Sequence, residues 1–354
     1  MEKIPGCRAG AAYFRMAGRQ PLPPEFGRRP FATGAARAAG VGEGRLRGRD
    51  LDRPFHGVRV PSTALDALPQ EFGELPGARA AAEFTALVAR CRAYAPLLRP
   101  GQFFSHETAA RLYKAPLPEA FSADEPLHVS VRAPGRAPRS RGIAGHRAPA
   151  SARIADRFGL PVAEPSAAWL ALAPVVGSRI AADDLVAVAD HLVLDPRRLD
   201  PRDPRPYIRL ADLRAAAEAY RGRGARAAAS AISQAREGVE SRPETRLRLV
   251  IVRAGLPEPE VGVDIFDDDG KWLGRADQLF RRWKVISEYD GEQHRTSDAQ
   301  YARDETRIEE FQRAGFATVR IRKGQLFGRP DIAVERVARA PRAAGWPGEP
   351  RHQG

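Results

Sequence analysis

The 354-residue chain predicts an α/β (α+β) protein made of several small domains. Helical and strand-like apolar patterns alternate in mixed order, with no repeat at a fixed period. Near the C-terminal end the order helix, three strands, helix, strand, helix can be followed from residue 243 to 338. A hydrophobic share of 43% is ordinary for a chain that buries cores.

The net charge is +13, which suits a polyanionic partner such as DNA. Arg far outnumbers Lys, and Ala, Gly and Pro are abundant; that bias reads first as a GC-rich coding sequence and only second as function. The 2 cysteines, Cys7 and Cys91, are too few for a disulfide framework or a four-cysteine zinc site. They fit a reducing cytoplasm. The N-terminus lacks the apolar core and cleavage pattern of a signal peptide. The apolar run around Ala167 to Gly177 is too short to span a bilayer. The expected location is cytoplasmic, with no membrane partner.

Residues 1–30, with PLPPEFGRRP and no sustained period, are expected to be disordered. Residues 31–75 give a degenerate winged-helix-like order. A short helix lies over Ala35, Ala36 and Ala39, a second opens at Arg45-Leu46-Arg47, and Phe55 to Val60 closes as a strand. Residues 1–60 hold 12 Lys+Arg against 5 Asp+Glu. Gly42 and Gly44 disfavour a well-formed recognition helix.

Residues 76–195 predict a small α/β region. Residues 78–97 carry an amphipathic stripe of Ala82, Phe84, Leu87, Val88 and Cys91. Ser105 is placed to cap a helix over HETAARLYKA. LHVSVRA from Leu127 alternates as a strand. Arg132 to Arg157 holds seven Arg and one acid, with Arg139 and Arg141 at its centre. A strand and helix over Leu160–Leu172 and a helix over Asp183–Leu194 complete the region. Residues 196–241 read as a linker and helical arm: DPRRLDPRDPRP as a proline-rich surface connection, then Leu210–Ala235 as a helix interrupted by Gly222 and Gly224. Residues 341–354 read as a flexible tail.

Residues 242–340 carry the chemistry. Pro243 and Glu244 open a helix, where an acid suits the dipole. Strands at 261–266, 272–280 and 284–289 follow, the first two joined by the turn DDDG. A helix from Tyr301 to Ala314 ends at Gly315, and Ala317–Ile321 is the last strand. Asp277 lies in the second strand. Glu288 and Asp290 end the third, two apart and so on one face. Carboxylates gathered at a hairpin end repel one another unless a cation joins them. Mg²⁺ prefers such oxygen ligands and keeps waters for phosphodiester hydrolysis. His294, beyond Gly291, is placed as a proton carrier. Arg303 and Arg307, four apart, either hold phosphate or pair with neighbouring acids.

The pattern Glu244, Asp277, Glu288-Tyr289-Asp290-Gly291, His294, Arg303-Asp304, Arg307, Gly315, Val319-Arg320 resembles the PD-(D/E)XK nuclease superfamily, and within it domains similar to very-short-patch-repair endonucleases. The resemblance implies a restriction-endonuclease-like mixed sheet flanked by helices and cleavage of DNA with Mg²⁺, or Mn²⁺ in its place. It implies Asp277 and Glu288 as metal ligands, Glu244 as support from the helix, and His294 as the histidine after E-x-D-G. Asp290 stands where many members have Lys, which leaves activation of water to His294, the metal or a neighbour. The two cysteines do not supply the structural zinc site of those repair enzymes.

Upstream, FFSHETAARLYKAPLP, LHVSVRAPGRAPRSRGIAGHR and GLPVAEPSAAWLALA resemble the antitoxin-like region of the AbiEi family, whose N-terminal part is a winged helix. That resemblance implies DNA binding or a regulatory role, with a toxin or a second copy of the chain as conceivable partners. Ser105, His106, His128 and His146 show no ordered nucleophile–base–acid set and are read as structural. Residues 244–340 hold 18 Lys+Arg and 18 Asp+Glu, so the positive surplus lies upstream. The expected function is a metal-dependent DNA endonuclease whose DNA-holding residues include Arg45, Arg47, Arg139, Arg141 and Arg303. The alternative is an antitoxin-type DNA-binding regulator with an inactive nuclease-like domain.

Overall fold

The structure is a computed structural model that describes residues 21–65, 72, 77–291 and 298–351. The chain divides into two compact units, 1–68 with 93–97, and 69–92 with 98–354.

In the first unit β1 (Phe31–Ala32), β2 (Leu51–Asp52) and β3 (Val58–Pro61) form a sheet in the order β1-β3-β2. It carries the short helices α1 (Thr33–Ala38), α2 (Glu43–Leu46) and α3 (Ser62–Leu65). Phe31, Ala36, Val41, Leu46 and Leu51 make its core, and Leu22 and Phe26 pack on it. Residues 21–30 are therefore partly built into the fold, contrary to the disorder expected; the remainder of that stretch lies outside the described residues. The stretch opened by Arg45 is a single turn, because Gly42 and Gly44 withhold helix propensity on either side of Glu43.

The second unit begins with α4 (Gly77–Tyr94), whose last two residues fall in the first unit. It then holds a five-stranded mixed sheet in the order β6-β5-β4-β8-β7, from β4 (Gln102–Phe104), β5 (Leu127–Arg132), β6 (Ile143–Ala148), β7 (Ile154–Arg157) and β8 (Leu160–Ala163). Helix α5 (His106–Leu112) follows β4, and α6 (Pro165–Leu170) and α7 (Ala182–Val193) follow β8. Trp169 is fully buried, and its indole N–H donates to the Leu185 carbonyl at 2.8 Å. Ser105 stands at the N-cap of α5 but makes no capping bond; its hydroxyl instead accepts from Ser130 Oγ at 2.8 Å.

The expected surface connection after Asp195 has an internal anchor. Asp203, 5% exposed, accepts from Lys114, Arg157 and Tyr207. Nor is 196–241 a detached arm. Helices α8 (Leu210–Ala219) and α9 (Ala225–Gln234) bury Leu213, Ala217, Ala228 and Ala231. Gly224 begins α9 at φ +85°, and a Cβ there would lie 2.5 Å from the Ala173 carbonyl carbon, so only glycine allows this approach.

Residues 242–343 give α10 (Arg242–Arg253), β9 (Glu260–Phe266), β10 (Trp272–Phe280), β11 (Val285–Asp290), α11 (Asp298–Arg313), β12 (Ala317–Arg322) and α12 (Pro330–Ala343). The sheet order is β12-β11-β10-β9, with β11 and β12 parallel and the other pairs antiparallel. Leu247 and Ile251 of α10 and Ala333 and Val337 of α12 share one core with Phe280, Val285 and Ile321. Phe311 of α11 packs in a second core with Ile265, Leu273 and Ile286. This portion has the mixed sheet and flanking helices expected for it. The expected flexible tail is docked in part: Trp346 packs on the first of these cores, and the Arg351 N–H donates to the Ala254 carbonyl at 2.7 Å. Among the described residues no helix is long and apolar enough to cross a membrane.

Helix α10 is bound to α7 by charge. Arg242 pairs with Asp184 at 2.7 Å and Arg253 with Asp183 at 2.7 Å. Between them Arg248 and Asp190, each side chain 1% exposed, meet at 3.4 Å. Asp190 also accepts from Thr245 Oγ1 and from the Arg236 N–H, and Arg248 donates to the Gln234 carbonyl and to Glu258. Burial still pushes the Asp190 carboxyl up, to about 6, against the pull of Arg248. Removing one member of such a pair strands the other. Arg248→Ala is expected to destabilise the chain by about 3–5 kcal/mol, and Arg242→Ala, partly exposed, by much less. Denaturant melts of the two variants side by side measure the difference.

Candidate functional site

The acids singled out by sequence come from α10, β10 and β11. Ser241 caps α10, its hydroxyl accepting from the Glu244 N–H at 3.4 Å and donating to Glu244 Oε1 at 2.6 Å. The other carboxylate oxygen accepts from the Glu240 N–H at 3.0 Å. Glu244 is thus held by its own helix end, a reciprocal cap of the kind short-range sequence specifies. In the sheet, Gln278 faces Ser287, so Asp277 falls opposite Glu288 one residue further along. Asp277 Oδ2 accepts from the Tyr289 N–H at 2.9 Å. On the other side of this register the buried Gln278 joins α10 to the hairpin, donating to the Glu244 carbonyl and accepting from Ser287 Oγ.

Burial pushes the Asp277 carboxyl well above the usual range, and repulsion from Glu244 and then Glu288 pushes it further. Burial also raises Glu244, to about 7, against the pull of Ser241. Glu288, 4% exposed, has a counter-ion: Arg307 of α11 reaches its two oxygens at 2.6 and 3.2 Å. The approach is close because Gly274 lies beneath it. A Cβ on Gly274 would sit 2.8 Å from Arg307 Cδ and 3.0 Å from Phe311 Cζ. Glu244, Asp277 and Glu288 therefore form one electrostatic group, with Arg307 as its resident cation.

Asp290 takes a different place. Register sets Asp290 opposite Arg322 and Glu288 opposite Arg320 on the parallel neighbour β12. The Asp290 carboxylate pairs with Arg320 at 3.1 Å and with Arg322 at 3.7 Å. His294 lies outside the described residues. Arg303 belongs to α11, and its side chain also lies outside what is described. Arg307, read from sequence as either holding phosphate or pairing with acids near it on the helix, reaches from α11 to Glu288 on β11. Only the register of β10 against β11 and the small residue at 274 could have signalled that.

Of the remaining arginines singled out for DNA, Arg45 is committed to Asp50 through two bonds of 3.0 and 2.7 Å, its side chain 9% exposed. That geometry removes it from the exposed set. Arg47, Arg139 and Arg141 are exposed. The basic stretch from Arg132 divides likewise: Arg157 turns inward to Asp203 at 2.6 Å and Arg132 donates to the Ala152 carbonyl at 2.7 Å, whereas Arg136, Arg147 and Arg153 face outward.

No protein-family model matches the chain, and no curated protein and no solved structure matches it either.

Glu244, Asp277 and Glu288 share one buried electrostatic environment, and two of them resist ionisation, a state that a nearby cation relieves; among the described residues their oxygens do not all come within 4.8 Å of one another, as the ligand atoms of a three-residue metal group elsewhere in the fold do. The raised carboxyls also set a pH dependence. Below about pH 4 Glu244 and Asp277 are protonated whether the chain is folded or not, so they cost nothing. As pH rises through about 7 the folded state must ionise Glu244 beside Asp277, and stability falls. Asp277→Asn keeps an acceptor for the Tyr289 N–H and removes the charge. In metal-free buffer at pH 8 it is expected to raise stability by roughly 1–3 kcal/mol and to flatten the decline. Thermal melts of both proteins from pH 5 to 8 test this.

Proposed function

We propose that the chain is a metal-dependent DNA endonuclease that hydrolyses phosphodiester bonds, with a C-terminal PD-(D/E)XK nuclease-like portion similar to very-short-patch-repair enzymes. The observation that carries this reading is the raised, buried carboxyl of Asp277 between Glu244 and Glu288. Such a group is stable only as an uncharged acid or beside a cation. Further support comes from the order helix, three antiparallel strands, helix, parallel strand, which is the framework the sequence resemblance implies.

In this reading Asp277 and Glu288 hold Mg²⁺, or Mn²⁺ in its place. Held by these two carboxylates, such an ion would acidify a water and stabilise charge on the departing oxygen. The chain's own groups do the rest. The Tyr289 N–H fixes the orientation of Asp277, and Arg307 fixes that of Glu288. Glu244, with a carboxyl near 7, is matched to proton exchange at neutral pH; His294 is the alternative carrier. Asp290, bound to Arg320, acts as a positioning group on β11 in place of the commoner lysine. Exposed arginines such as Arg47, Arg139 and Arg141 supply attraction to phosphate. The protein acts in the cytoplasm on this reading.

A second reading is favoured by one feature. Glu288 and Asp290 are both already paired with arginines, as in a fold whose acids have become structural. The protein is then an AbiEi-like, antitoxin-type DNA-binding regulator, with a toxin or its own copy as partner.

Plasmid nicking with Mg²⁺ or Mn²⁺ separates the two. Wild type is expected to nick and Asp277→Ala to be inactive with DNA affinity retained; nicking by neither protein favours the regulator. Glu244→Gln is expected to slow nicking about 10²–10⁴-fold if Glu244 moves the proton, and His294→Ala to do so if His294 does. Replacing Arg139 and Arg141 together with Gln is expected to lower the salt slope of DNA binding by about 0.9 for each phosphate that is no longer neutralised. An unchanged slope would place the DNA elsewhere.

A further inference from the structure

A second cluster of metal-ligating groups lies far along the sequence from the acids. His106 is the first residue of α5, His128 lies on β5 and His146 on β6. The parallel register sets Ser130 opposite His146, and His128 is two residues before Ser130, so the two histidines share a face of the sheet. Helix α5 packs on β5 and brings the third ring down on them. His106 and His146 stack with centroids 3.7 Å apart. Each ring offers one nitrogen, and the three nitrogens all lie within 4.8 Å of one another.

Three details distinguish this from chance packing of aromatic rings. His128, 6% exposed, has more ring nitrogen than the protein satisfies. Its Nδ1 is 2.9 Å from His146 Nε2 and 3.3 Å from Glu107 Oε2, while its Nε2 is buried with no partner among the described residues. A buried polar atom left in that state is costly unless something fills the place. His106 is held at φ +51°, a left-handed conformation rare for a residue with a side chain and one that collects at functional sites. Around the rings stands an organised surround. Glu107 is fixed by Arg179 at 3.0 Å, and Ser105 Oγ lies 3.0 Å from His106 Nδ1 while accepting from Ser130. Carboxylates and hydroxyls that orient the far side of an imidazole are the usual outer support of a histidine metal site.

We propose that His106, His128 and His146 bind a first-row transition metal, with Zn²⁺ as the natural occupant. Imidazole nitrogens suit Zn²⁺, Co²⁺ and Ni²⁺ and not Mg²⁺. Three protein ligands leave one coordination position open, the arrangement of zinc sites that take a water or a substrate oxygen. Nitrogens about 2 Å from one tetrahedral ion lie roughly 3.3 Å apart, inside the 4.8 Å that bounds these three, so ring rotations that give up the contact between His128 Nδ1 and His146 Nε2 close the site around an ion. Glu107, neutralised by Arg179, remains outside as the group that orients His128. The site is independent of the nuclease reading, since no residue is shared with it.

The test uses the full chain, stripped with a chelator and reloaded with Co²⁺ or Zn²⁺. One Co²⁺ per chain is expected, with the intense visible bands of a four-coordinate ion, displaced by Zn²⁺ and unaffected by excess Mg²⁺. His146→Ala, a half-buried position, is expected to keep the fold by circular dichroism. It should weaken Zn²⁺ at least about 100-fold, since loss of outer support alone costs 10–100-fold. Asp277→Ala is expected to bind Zn²⁺ as wild type does. Wild type without the cobalt bands, or equal Zn²⁺ affinity in folded His146→Ala, would overturn the proposal. Should His146→Ala not fold, His106→Asn serves in its place, read in the same way.

Discussion

The arrangement of the second unit depends on the charged seam between α7 and α10. Four arginines of α10 meet three acids of α7: Arg242 with Asp184, Arg246 and Arg253 with Asp183, and Arg248 with Asp190. Two helices about 50 residues apart in sequence within one compact unit are thereby fastened along their length. The same helix α10 places Glu244 at its first turn and Leu247 and Ile251 in the core of the four-stranded sheet. An acid of the candidate site, the core beneath it and the contact with the preceding region all hang on one helix. Its high arginine content is therefore spent on internal pairing rather than offered to a ligand.

That seam also explains what sequence could and could not disclose. The elements from 243 to 338 are legible because each is signalled locally: Pro243 and the Ser241–Glu244 cap, the DDDG turn, alternation in the strands, Gly315 after α11. The five-stranded sheet is legible only in pieces, since β4 and β7 are short and the sheet's pairing joins residues far apart. Residues 196–241 read as linker and arm yet are built into the fold. Their alanine-rich helices have little apolar mass, but small side chains such as Ala217, Ala228 and Ala231 are what close packing against α7 and its neighbours requires. The docked tail is hidden for a similar reason, because proline and glycine composition says nothing about a single anchoring Trp346.

At the candidate site, sequence supplies the acids but not their counter-ions. Glu288 and Asp290 do share a face, as alternation requires, but neighbours divide their roles. Asp290 is drawn to the arginines of β12, and Glu288 to Arg307, while Glu288 and Asp277 repel each other. The histidines show the converse. His106, His128 and His146 look unrelated in sequence, and only the parallel pairing of β5 with β6 brings two of them together beneath α5. Arginine is a poor guide to surface charge throughout, because Arg45, Arg157 and Arg248 are all turned inward to acids.

The narrow approach at Gly274 places the charge balance of the acidic group under the control of a residue with no side chain. Even a methyl group at that position would displace Arg307 or Phe311. Glu288 would then lose its partner while staying beneath the helix, and the repulsion already acting on Asp277 would grow. Sensitivity to substitution at this position should thus look electrostatic in its consequences although its origin is purely steric. A site defined by carboxylates has its most exacting size requirement on the backbone of the strand that carries one of them.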